Sequence, residues 1–98
     1  MALRFVWDPR KAAANRRRHG VDFAEAATAF GDPLSLTVLD PDHSESEERF
    51  ILMGRSERAR LLVVVHVERA ADEIRIISAR RAAPHERLRY EEDIAEGR

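Results

Sequence analysis

The chain has 98 residues, 44% of them apolar and 36% charged, with a formal net charge of −1 and no cysteine. That length holds one core but not two, so a single domain over residues 1–98 is expected; the missing thiols exclude disulfides and thiolate metal sites and suit the cytoplasm. The longest apolar run, Leu61–Val65, is too short to cross a bilayer, and Arg4, Asp8, Arg10 and Lys11 interrupt any secretory signal, so membrane roles drop out.

"LRFVW" at 3–7 is rich in aromatic and β-branched residues and predicts a short strand. In "DPRKAAANRRRHG", Asp8 can cap, Pro9 suits a first helical position and Gly20 can end the helix, which sets its span at about 9–19. "VDFAEAATAFGDP" predicts a second helix: Asp22 and Glu25 have capping-box spacing, Val21 can staple onto Ala26, and Phe23, Ala26, Ala27 and Phe30 form one apolar stripe. "LSLTVL" at 34–39 alternates as a half-buried strand, and "RFILMG" gives a third strand. "LLVVVHV" at 61–67 is apolar at almost every position, which predicts a central strand covered on both faces. "EIRIISARR" is a fifth strand, and Pro84 opens a last helix running to about Ile94. Short connections make strands two to five an antiparallel meander. The order β-α-α-β-β-β-β-α, with an antiparallel sheet packed by helices, is α+β.

Charge is segregated along this frame. Residues 10–18 hold Arg10, Lys11, Arg16, Arg17 and Arg18 without an acid, while 40–48 hold Asp40, Asp42, Glu45, Glu47 and Glu48 without a base. From Arg69 to Arg89 six arginines face three acids, Asp72, Glu73 and Glu86. Strand alternation sends Arg80 and Arg81 to opposite faces as the fifth strand ends, one of them toward the free N–H groups of the last helix, where anions bind. Guanidinium groups recognise phosphate oxygens in a planar, bidentate way. Glu86 and Tyr90, four residues apart, share a helix face with Arg87 nearby, so a carboxylate, a phenol and several arginines define a phosphate-handling zone.

Plainer roles compete for each residue. Single arginines at a strand end commonly just solvate, and Glu86 is also a first-turn acid that favours the helix dipole. His66 in the most apolar strand reads as a core histidine, and His19 as a C-terminal cap. His85 in the first helical turn could serve as acid or base, or face solvent. The acidic loop with Asp40, Asp42, His43, Glu45, Glu47 and Glu48 lacks the spacing of a calcium site, so no metal is assigned; docking of a basic partner suits it better. A helix-turn-helix reading gains little weight, because "FAEAATAF" offers no Arg, Asn or Gln to read base edges.

Two motifs, "WDP.K...N...HGV.F..A...F.DP" and "RIISAR.A...ER..Y", occur in order between Phe5 and Glu91. With them the chain resembles the BrnT toxins, the toxin halves of BrnT/BrnA type II toxin–antitoxin modules. The resemblance implies a RelE-like fold and an endoribonuclease that cuts RNA, needs no metal or cofactor, and arrests translation and growth. It also implies a BrnA-type ribbon-helix-helix antitoxin as partner, two toxins assembling with an antitoxin dimer, and contact with operator DNA only through that antitoxin. Carried over residue by residue, it makes Arg80 and Arg81 stabilisers of the transition state with Arg69 assisting. Glu86 becomes a general base, held by Arg75 or Arg87, and Tyr90 or His85 a group that orients or protonates the leaving group. Arg49, Arg75, His85 and Arg87 become RNA contacts. Residue 66 departs from the pattern, being His where many relatives carry an aromatic such as Tyr. The competing class is a non-catalytic RNA- or protein-binding module.

Overall fold

A computed structural model describes residues 3–43 and 47–97. The elements are β1 (Arg4–Val6), α1 (Pro9–His19), α2 (Phe23–Thr28), β2 (Leu36–Leu39), β3 (Phe50–Arg55), β4 (Leu61–Arg69), β5 (Glu73–Arg81) and α3 (Pro84–Ala95), with short 3-10 turns at Ala29–Gly31 and Pro41–His43. The order is the one that the sequence predicts. Strands lie in the order β1-β5-β4-β3-β2, and β2 through β5 form the antiparallel meander. The sheet is nonetheless mixed, because β1 joins β5 in parallel, Arg4 opposite Glu73 and Val6 opposite Arg75.

β4 is central because it has no polar face. Leu62 and Val64 join Ile74, Ile76 and Ala79 of β5 against Val21, Phe23 and Ala26 of the α1–α2 layer. Leu61 and Val63 project to the other side, where Met53 of β3 and Tyr90 of α3 close a second core. Each fully buried Leu, Ile, Val or Phe stabilises the fold by ~1.5–3 kcal/mol. The register of β4 and β5 shifts between Val65 and His66, leaving Ile77 as the extra residue of a bulge.

Helix ends follow the local chemistry with one exception. The Asp8 side chain accepts the Arg10 N–H at 2.8 Å, and Gly20 closes α1 in the left-handed region at φ 70°. Asp22 makes no side-chain cap on α2, and Glu25 does not reach back to it. Glu25 is instead buried, accepting hydrogen bonds from Arg60 Nε at 2.9 Å and Ser56 Oγ at 2.7 Å, which tie α2 to the β3–β4 hairpin. β2 starts later than predicted because Asp32 holds the Leu34 N–H at 2.9 Å and its own carbonyl holds that of Ser35, making a turn of residues expected in the strand.

β1 covers only Glu73–Arg75, so from Ile76 onward β5 has no strand on that side. Asn15 of α1 substitutes for one: its side chain donates to the Ala79 carbonyl at 2.8 Å and accepts the Ala79 N–H at 3.0 Å, while also donating to Val21 O at 3.0 Å. This buried amide fixes α1 on the strand that carries the arginines.

Candidate active site

Pro84 supplies the first turn of α3, and Glu86, two residues on, folds its carboxylate back to accept the Ala83 N–H at 2.8 Å. Arg80, opposite Val63 on the α3 side of the sheet, donates to the same carboxylate through Nη1 at 2.8 Å and Nη2 at 2.9 Å. These bonds, those from Arg80 foremost, hold the Glu86 carboxyl down to about 2 against the opposing effect of burial, and they raise the Arg80 guanidinium. A carboxylate held that low is a weak base. The cation that holds Glu86 is Arg80 rather than Arg75 or Arg87.

The geometry leaves part of Arg80 free. A guanidinium has five N–H donors. Nη1 serves Glu86 and, at 3.4 Å, the Arg81 carbonyl; Nη2 gives one bond to Glu86. The edge formed by Nε and the second Nη2 hydrogen has no protein acceptor among the described residues, and it is a bidentate fork for an oxyanion. Alongside, His85, Glu86 and Arg89 form one wall of a groove of about 310 Å³, floored by Leu36, Ile51, Met53 and Val63. Neither motif points to Arg89, although its spacing of three from Glu86 places both on one helix face.

Tyr90 does not reach this fork. It is 1% exposed and belongs to the second core. Its hydroxyl donates to Asp32 at 2.5 Å, and the Arg55 guanidinium lies 5.6 Å over its ring. Burial and the Asp32 carboxylate both push the phenol up. Burial also works to raise Asp32, but hydrogen bonds from Tyr90 and the amides of Arg55 and Leu34 outweigh it and hold that carboxyl below its ordinary value. In the sequence Asp32 shows in the turn chemistry of "GDP" ahead of β2 and in the "DP" that ends the first motif, neither of which points to Tyr90.

The remaining predicted residues are dispersed. Arg81, opposite Leu62, is exposed on the α1–α2 side, so Arg80 and Arg81 do emerge on opposite faces. Arg69 lies six positions along β4 from the partner of Arg80, ~20 Å away. Arg75 shares the Arg80 face but forms an ion pair with Glu47, and its buried Nε lacks an acceptor among the described residues. Arg49 sits at the base of the acidic loop, where its carbonyl accepts the Asp40 N–H at 2.8 Å. Arg87 is half-buried on α3 and His85 exposed at its start. Glu45 lies outside the described residues; among those described, no three His, Asp or Glu side chains are grouped to hold a metal. His66 is fully buried between Phe30 and Phe50, with Nε2 3.2 Å from Glu68, a core histidine as its apolar strand predicts. No helix among the described residues is long and apolar enough to cross a membrane.

Comparison with known proteins adds to this geometry. Residues 7–86 match the family model described as the ribonuclease toxin, BrnT, of a type II toxin–antitoxin system. Among solved structures, the chain is similar to the Brucella abortus ribonuclease toxin BrnT, determined at 1.1 Å, with 20% identity, 84% of this chain and 99% of that one covered, and a TM-score of 0.61. At that identity the likeness concerns the fold. No curated protein matches the sequence.

Proposed function

The chain belongs to the BrnT ribonuclease toxins of type II toxin–antitoxin systems, and from that premise we propose that it cuts RNA by metal-independent transesterification at the phosphate held by Arg80. The ribose 2′-OH attacks the adjacent phosphorus in line and loses its proton. The bond from phosphorus to the 5′ oxygen breaks, and that oxygen takes up a proton, leaving a 2′,3′-cyclic phosphate and a 5′-OH. Negative charge grows on the non-bridging oxygens, where a fixed cationic fork is most effective. The observation that carries this reading is the Arg80–Glu86 pair: two bonds fix the guanidinium plane while its Nε–Nη2 edge has no protein acceptor among the described residues.

Roles follow from reach. Arg80 binds the reacting phosphate and Glu86 positions Arg80. His85, at the groove wall, is the side chain there able both to accept and to donate a proton. Arg89 and Arg87 on α3 steer the flanking RNA, and the Arg81, Arg75, Arg49 and Arg69 side chains supply contacts farther along the chain. The antitoxin that the family implies would be BrnA-type, two toxins binding an antitoxin dimer whose ribbon-helix-helix part meets operator DNA. Free toxin would then arrest translation in the cytoplasm.

The test is cleavage of end-labelled single-stranded RNA in EDTA by the purified chain and by Arg80→Ala. Cyclic-phosphate ends from the wild type, with a loss on the order of 100-fold in the variant, are expected. RNA left intact by the wild type, or cut equally well by a folded Arg80→Ala, would overturn the proposal. Intact but bound RNA would favour a binding module.

A further inference from the structure

α1 carries Arg10, Lys11, Arg16, Arg17, Arg18 and His19 and no acid. Cations in the last turn answer the helix dipole, but Arg10 and Lys11 occupy the first turn, where positive charge is unfavourable. Helix stability does not account for them. Arg16 lies 3.4 Å from Asp22, whereas Lys11, Arg17 and Arg18 meet no carboxylate among the described residues.

Asn15 decides where this charge points. By clipping α1 to Ala79 it turns positions 11, 14 and 18, one helical stripe, toward the free edge of β5. A groove of about 280 Å³ lies between them, with Lys11, Arg18 and His19 on one wall and Ile77 and Ser78 on the other. Ile77 is the bulged residue, re-aimed by the register shift. Ser78 shares a face with Arg80 two residues on, ~7 Å away along the strand. Through Ser78 the groove therefore borders the face of the sheet that carries Arg80.

We propose that the groove between α1 and the free edge of β5 binds the phosphodiester backbone of single-stranded RNA next to the phosphate that is cut. The inference rests on the ribonuclease reading for its choice of ligand. Separated cations, a hydroxyl at Ser78 and an apolar surface at Ile77 suit a chain of alternating phosphates and bases. The shared face of Ser78 and Arg80 favours RNA, whose next phosphate would lie toward Arg80, over an acidic peptide.

The experiment is anisotropy of a labelled 2′-O-methyl oligonucleotide, which lacks the nucleophile and stays intact, against wild type and the Lys11→Ala/Arg18→Ala double variant over a salt series. Both sites are exposed and alanine favours helix, so circular dichroism should be unchanged. Loss of two phosphate contacts should flatten the slope of log K against log salt by about 1.4 and weaken binding about tenfold at low salt. Unchanged affinity and slope, no binding by the wild type, or a double variant that loses only a poly-glutamate peptide overturns the inference. If the oligonucleotide depends on Lys11 and Arg18 while the wild type cuts no RNA, the ribonuclease reading fails and the surface stands. If RNA is cut but binding ignores both residues, the surface fails alone.

Discussion

Glu86 accepts three hydrogen bonds, two from Arg80 and one from the Ala83 amide, and each favours its charged form. Its carboxyl sits at about 2 in the folded chain against an ordinary 4.5. The folded value is the depressed one, so this stabilisation is full above about pH 4.5 and is lost as pH falls through 2. Because Arg80 is partly exposed, the contribution is on the order of 1–2 kcal/mol. Glu86→Gln should lower stability by that amount at neutral pH, and urea titrations should show the gap to wild type closing between pH 4.5 and 2. Tyr90 gives the complementary case. Tyr90→Phe strips one donor from Asp32 and should cost about 1–2 kcal/mol in the same measurement. RNA cleavage should persist, because the hydroxyl faces Asp32 and not the groove; a 100-fold loss with the fold intact, roughly what a lost transition-state contact costs, would return Tyr90 to the chemistry.

The elements are joined by side chains as much as by cores. Asn15 supplies the edge of β5 with the two bonds that a longer β1 would have made, and Glu25 does comparable work between α2 and the hairpin of β3 and β4. Removing the first should be costly. Asn15→Ala orphans the Ala79 N–H and C=O and the Val21 carbonyl in a buried place, an expected loss of about 2–4 kcal/mol by denaturant unfolding. Backbone protection at Ala79 should fall furthest in hydrogen exchange, since that strand edge loses its cover first. The connections have their own demands: Ala59 at φ 62° and Ala70 at φ 54° turn the two hairpins in a conformation that usually takes glycine.

Across the molecule as a whole, a small net charge conceals two basic zones, one on α1 and one where β5 meets α3, and the fold places them on either side of a single strand edge. Element order is legible in the chain because it depends on local rules: Asp8 and Gly20 punctuate α1, Pro84 starts α3, and the unbroken apolar run of β4 needs cover on both faces. Arg80 and Glu86 are legible as neighbours for the same reason, being six residues apart across a strand end and a first helical turn. Their bond to each other is not, since alternation gives the face of a side chain but not its partner. Helical spacing draws Tyr90 toward Glu86 on paper because it says nothing about Asp32, 58 positions away. The family resemblance draws Arg69 toward Arg80 because it is read along a linear sequence, whereas β4 carries that residue ~20 Å along the sheet. Elements, their order and the segregation of charge are thus written in the chain, all set by neighbours within a few residues. Which cations stay free is settled by the folded arrangement, because pairs such as Arg4–Glu73, Arg60–Glu25 and Arg75–Glu47 depend on a carboxylate brought from elsewhere in the fold.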